Sequence, residues 1–138
     1  SYTFFALKPM GLDQYAYIKF QPEYENWLFL AEWRKHPNLQ GWMERLWRKK
    51  TNSSEAYEND TLITDEFNGV EVVLTMEDIL QLEMDIRDNN LDGGLGTTTG
   101  FFFGENSDEE YKWKDLIFCD KAKVALRNNQ AVYYNSSW

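Results

Sequence analysis

Between residues 37 and 47 the apolar side chains recur at helical spacing. Leu39, Trp42, Met43, Leu46 and Trp47 fall at i, i+3, i+4, i+7 and i+8, which puts all five on one face of an α-helix. Pro37 and Asn38 stand where such a helix would begin, with Asn38 the expected N-cap. The opposite face takes most of a basic island. Residues 34 to 50 hold Arg34, Lys35, Arg45, Arg48, Lys49 and Lys50 against Glu44 alone, while the rest of the chain carries 8 basic and 22 acidic side chains.

Upstream of this helix the pattern changes to that of strands. Residues 2 to 7 (YTFFAL) and 14 to 20 (QYAYIKF) are rich in aromatic and β-branched types, with Gly11 and Asp13 as turn residues between them. The run WLFLAEW, residues 27 to 33, is almost continuously apolar, a pattern that fits a central strand buried on both faces, with a short helix as the alternative. Downstream, residues 51 to 68 are polar without periodicity and read as a mobile loop. Residues 70 to 74 predict a short strand. Thr75 with Asp78 has the form of a capping box, opening a helix that carries Ile79, Leu82 and Ile86 on one face. The Gly/Thr-rich segment LDGGLGTTTG and the burst Phe101 to Phe103 follow. Ser107 with Glu110 has the form of a second capping box. Its helix carries Phe118, Ala122 and Ala125 on one face and Trp113, Ile117 and Val124 on another, which predicts a helix buried on two sides. Residues 131 to 134 close the chain as a strand.

This order predicts one α+β domain over residues 1 to 138, with a mixed or antiparallel sheet of about four to six strands and three helices packed mainly on one face. A chain of 138 residues with 43% hydrophobic content suits one core. Aromatic residues make up 17% of it, more than such a core needs, so some rings are expected at the surface as anchors for a partner. The net charge of −9 works against binding a nucleic-acid duplex. No segment has the roughly 20 apolar residues of a membrane span. A single cysteine, Cys119, and a start without the profile of a signal peptide make the cytoplasm the expected compartment.

Chemical motifs are sparse. The stretch lacks a phosphate-binding P-loop, and Gly94, Gly96 and Gly100 follow a helix instead of opening one, the reverse of a dinucleotide fingerprint. Asp88, Asn90, Asp92 and Gly93 reproduce the opening of a calcium loop, but Thr99 stands at the twelfth position, where a bidentate Glu should close it; no metal and no cofactor are expected. His36, the only histidine, follows Arg34 and Lys35, whose charge weakens it as a general acid. Cys119 sits inside the last predicted helix as a small buried thiol.

Three stretches, WRKHPNLQGWM (Trp33 to Met43), TTGFFFG (Thr98 to Gly104) and the terminal YYNSSW (Tyr133 to Trp138), resemble a family of small, uncharacterised proteins encoded by bacteriophages and prophages. The family often carries His at the position of Gln40, so a role resting on that imidazole does not transfer. The resemblance implies a viral accessory protein acting in an infected bacterial cell. The function expected first is a non-enzymatic protein that binds a host protein and modulates it or a host defence pathway. Two alternatives stay open: sequestration of a small anionic, nucleotide-like ligand, and an enzyme acting on a small phosphorylated substrate. If Arg34 and Lys35 end a strand beside the Gly/Thr loop and the C-terminal tail, then Trp33, Arg34, Lys35, Trp42, Thr98, Thr99, Phe103, Tyr134 and Trp138 form the candidate ligand- or partner-binding set. The plain alternative is that Trp33, Trp42, Phe101 and Trp138 anchor the core.

Overall fold

The computed structural model describes residues 11–21, 26–52, 56–58, 61–63, 65–98 and 103–138. The strand expected at residues 2 to 7, Thr99, and Phe101 with Phe102 lie outside them. Strands β1 (Asp13–Gln21) and β2 (Asn26–Arg34) form an antiparallel pair, followed by helix α1 (Pro37–Thr51). Then come the short strands β3 (Ala56–Glu58) and β4 (Thr61–Ile63), a 3-10 turn (Asp65–Phe67), β5 (Val72–Leu74), helix α2 (Met76–Arg87), helix α3 (Asp108–Arg127) and β6 (Val132–Ser137). The main sheet is wholly antiparallel in the order β2-β1-β6-β5. With three helices among the described residues, this is the expected α+β fold.

The faces of the sheet follow from alternation along β1. Gln14, Ala16 and Ile18 point inward with Trp33, Val72, Leu74, Val132 and Tyr134, and meet Leu39 and Met43 of α1, Ile79, Leu82 and Ile86 of α2, and Phe118, Cys119 and Ala122 of α3 in one core. Tyr15, Tyr17 and Lys19 therefore point to the outer face. Between Ala16↔Ala31 and Tyr17↔Phe29 the register slips, which leaves Leu30 as an extra residue in β2; such a bulge bends and twists its strand.

Several expectations are corrected. β2 is an edge strand and is not buried on both faces, because it pairs with β1 alone, and Trp27 and Phe29 are 43% and 50% exposed. A continuous apolar run looks the same at an edge as at the centre when its outer face is itself apolar. The stretch 51 to 68 holds the β3–β4 ladder and the turn that buries Phe67; three-residue strands are too short to show a period. Helix α1 starts at Pro37 with His36 in the N-cap position and no side-chain cap. The Thr75–Asp78 capping box is present in both directions. At α3 no side chain of Ser107 caps the helix; Asn106 Oδ1 accepts from Asp108 N at 2.9 Å, while the Ser107 hydroxyl donates to the Lys35 carbonyl at 3.0 Å. The second apolar face of α3 is also open, with Trp113 78% exposed. Only the face carrying Phe118, Ala122 and Ala125 meets the core.

Candidate functional site

Two places concentrate chemistry, one sealed and one open. The sealed one lies where β2 passes into α1. Lys35 takes a left-handed conformation (φ 55°) that turns the chain, and its amide donates to the Leu12 carbonyl at 2.9 Å. The turn delivers His36 into the interior. Its Nε2 stands 2.7 Å from Oδ2 of Asp115 on α3, and the other oxygen of that carboxylate accepts from Trp33 Nε1 at 2.8 Å. The ring stacks on Tyr111, with centroids 4.8 Å apart, and Tyr111 exchanges hydrogen bonds with the Arg34 backbone. Gln14 clamps the His36 backbone from β1, accepting from its amide at 2.9 Å and donating to its carbonyl at 3.1 Å. Gln14 also donates to the Tyr134 hydroxyl, which donates to Gln40 Oε1 at 2.6 Å. Burial raises the Asp115 carboxyl above its ordinary range even though His36 and Trp33 act to lower it. Burial likewise raises the Tyr134 hydroxyl.

An aspartate–histidine pair is also an arrangement that catalysis uses. Here His36 is fully buried and Asp115 almost so, and a ring with no exposed surface does not meet a substrate. The pair's visible work is to tie β2, α1 and α3 together. Nδ1 of His36 faces Asp108 Oδ1 at 3.9 Å, too far for a hydrogen bond. Asp108 instead accepts from Asn38 Nδ2 at 2.9 Å. Among the described residues no group of three or more His, Cys, Asp or Glu side chains is placed to hold a metal ion. At the calcium-like run, Asp92 accepts from the Gly94 amide at 2.9 Å and closes its own turn.

The residues picked out from sequence fall around this sealed cluster. Trp33, Trp42, Phe103 and Tyr134 are buried. Trp33 meets Phe118 edge-on at 5.4 Å, and Trp42 donates to Asp85 of α2 at 2.9 Å. Arg34 and Lys35 are exposed, and Arg34 Nη1 lies 3.3 Å from Asp13. Thr98 donates its amide to Asn38 Oδ1. Trp138 is half-buried, packed edge-on against Phe103 at 5.2 Å. A Cβ on Gly104 would lie 3.2 Å from the Lys35 side chain. The strand exit, Phe103 and the last tryptophan are therefore neighbours, but Trp33 and Phe103 are buried and Trp138 is half-buried.

The open site is the outer face of the sheet, which the sequence reading missed. Tyr17 stacks on Trp27 (4.6 Å, 2°), meets Phe29 edge-on (5.9 Å) and lies near-parallel to Tyr133 (5.7 Å). Tyr15 packs against Phe29 at 5.7 Å. These rings come from three adjacent strands at alternate positions: 15 and 17, 27 and 29, and 133. Between them opens a cleft of about 260 Å³, lined by Tyr15, Tyr17, Trp27, Phe29 and Asn135 with Ser136 and Ser137 at the end of β6. The signal for it was present in the sequence as two aromatic pairs spaced by two on consecutive strands.

One cation already sits on this face. Lys19 Nζ lies 4.4 Å from the Tyr133 ring centroid and 5.2 Å from that of Trp27, inside the roughly 6 Å range of a cation–π contact. Glu71 supplies its counter-charge at 2.9 Å and accepts the Tyr17 hydroxyl at 2.5 Å. Burial and that hydrogen bond together raise the Tyr17 hydroxyl well above its ordinary value. Among the described residues no helix is long and apolar enough to cross a membrane. No family model, no curated protein and no solved structure matches this chain.

Proposed function

We propose that this chain is a non-enzymatic binding protein that takes a segment of a partner protein onto the open aromatic face of its sheet. One observation carries the reading: Trp27 and Phe29 stand 43% and 50% exposed within a continuous ring array around a cleft. Large rings left in water on a rigid surface are the residues on which protein interfaces concentrate binding energy. A strand pair fixes them in place, so little side-chain entropy is lost on docking. The cleft, about 260 Å³, is below the roughly 300–1,000 Å³ usual for a drug-sized ligand. It accepts one side chain of a partner more readily than a whole nucleotide. The resemblance to phage-encoded proteins supports a host protein as the partner, held and thereby modulated.

The alternatives draw less support. No cation lines the cleft, which disfavours an anionic nucleotide there. Stacking rings also serve single-stranded nucleic acids, but those sites track the backbone with a basic groove, whereas this cleft is bordered by the Glu71 carboxylate on the Tyr17 hydroxyl and by Glu32 across from Tyr15, on a chain of net charge −9. The test is capture of a defined bacterial protein by the immobilised chain, compared with the double variant Trp27→Ser/Phe29→Ser. Capture lost in the variant supports the reading, provided its circular dichroism is unchanged. Capture that ignores both substitutions overturns it. A labelled single-stranded oligonucleotide is expected not to bind.

A further inference from the structure

On the outer face, the end of the cleft away from Lys19 repeats the elements that hold that lysine: rings with a carboxylate beside them. Tyr15 and Phe29 supply the rings. Glu32 lies directly across from Tyr15 in the β1–β2 ladder, and opposed residues of an antiparallel pair bring their Cβ atoms to about 5 Å. The Glu32 side chain is exposed and has no ion-pair or hydrogen-bond partner among the described residues. The acid on the other side of Tyr15, Asp13, is engaged by Arg34 at 3.3 Å. The Lys19 end of the face is complete, with ammonium, two rings and Glu71 in contact. The Tyr15 end has the rings and an unpaired carboxylate; the cations beside it are engaged elsewhere, Arg34 on Asp13 and Lys114 on the Glu32 backbone carbonyl at 2.6 Å.

We infer that the partner segment carries an arginine or lysine whose cationic head enters the cleft between Tyr15 and Phe29 and pairs with Glu32. This inference rests on the binding function proposed above and names the chemistry of what docks. A guanidinium lies flat on an aromatic face while keeping its donors for a carboxylate at the ring's edge. The Asn135 side chain, which faces Tyr15 from β6, offers an amide oxygen to a remaining N–H. The fields of Asp13 and Glu32 already act on Tyr15, whose hydroxyl is raised by burial first and by those two carboxylates next, with Arg34 opposing. A chain of net charge −9 would also draw a basic segment toward this face at long range.

The probes are two five-residue peptides, N-acetyl-Gly-Gly-Arg-Gly-Gly amide and its citrulline counterpart, which keeps the shape of arginine without its charge. Each is titrated into the full chain while the Trp27 indole and the Tyr15, Phe29 and Glu32 amides are followed by NMR. The arginine peptide is expected to shift these signals and to bind about fivefold more tightly than the citrulline peptide, the ratio a surface cation–π contact supports. In Glu32→Gln, whose exposed side chain holds nothing else in place, that preference is expected to vanish. Equal binding of both peptides at this face overturns the inference and leaves aromatic docking intact. An arginine preference undiminished in Glu32→Gln, shifts mapping to another surface, or no binding of either peptide also overturns it. With the protein partner, capture lost in Trp27→Ser/Phe29→Ser but unchanged in Glu32→Gln removes the cation and keeps the interface.

Discussion

Nε2 of His36 and Oδ2 of Asp115 stand 2.7 Å apart with both side chains sealed from water, and the Trp33 indole occupies the remaining oxygen. Every polar atom of that carboxylate is therefore engaged by groups from a strand exit and a helix start. Removing one member leaves the others buried without partners, which costs far more than the pair's net worth. Asp115→Ala is expected to lower the unfolding free energy by about 3–5 kcal/mol, read by urea denaturation. Trp33→Phe, which keeps an aromatic ring but deletes the N–H donor and part of the packed indole, is expected to cost at least about 1–3 kcal/mol. Equal, small losses in both variants would mean that the interior tolerates these polar groups without their partners.

Gly41 sits inside α1, where alanine is ordinarily favoured by about 1 kcal/mol. Here a Cβ would come 2.0 Å from Thr98 Oγ1 and 3.1 Å from Thr98 Cβ. Rotating the threonine relieves the first contact and leaves the second, so the Gly/Thr segment must move. Overpacking of this kind costs about 1–3 kcal/mol, enough to outweigh the helical gain. Gly41→Ala is expected to be destabilising by thermal denaturation, and Gly41→Ala/Thr98→Gly to recover the loss. A stabilised Gly41→Ala would show that the Thr98 contact gives way at no cost.

Elements whose signals are local were legible in the sequence. The periodicity of Leu39, Trp42 and Met43 gave α1, and Thr75 with Asp78 marked the start of α2, because both depend on residues a turn apart. The facing of the sheet was not legible. Along β1 the two alternating sets are Gln14, Ala16, Ile18 and Tyr15, Tyr17, Lys19, and hydrophobicity does not choose between them. The structure turns the smaller set inward because Trp33, Tyr134 and Phe118 already fill that space. The open site followed from that choice and was missed with it. Asp115 was equally hidden: one carboxylate among 23 acids acquires its role only when α3 brings it to His36, 79 residues earlier. The candidate set built around Trp33, Phe103 and Trp138 did identify chain segments that meet, but sequence carries no measure of which way a ring faces after they meet.

Cys119 lies in the core with no exposed surface, and burial, with the nearby Glu83 and Asp115 carboxylates adding to it, pushes its thiol up to about 12. Reagents attack the thiolate, so two barriers coincide: access and ionisation. At pH 8 the native chain is expected to resist labelling by an aromatic disulfide reagent, and to react fully once urea unfolds it. Labelling that rises with urea in step with loss of the circular dichroism signal would report global opening. Rapid labelling without urea would show that α3 opens locally.

Glu83 and Lys123 join α2 to α3 at 2.9 Å with both side chains mostly buried, and the contact sets a pH window. Lys123 holds the Glu83 carboxyl below its ordinary 4.5, through its hydrogen bond against an opposing effect of burial. The stability this provides is fully present above 4.5 and is lost as pH falls through the folded value. Glu83 in turn raises the Lys123 amine above 10.5, a contribution present below 10.5 and lost as pH rises through the folded value. Asp115 acts in the other direction in acid. Its raised carboxyl makes the folded state the tighter proton binder just above 3.8, so it does not drive acid unfolding. Lys123→Met is therefore expected to lower stability by up to about 1 kcal/mol near neutral pH, and the gap from the unaltered chain should close as urea melts are repeated downward through pH 4. A gap that stays constant from pH 7 to pH 3 would assign the loss to packing of the lysine stem and not to its charge.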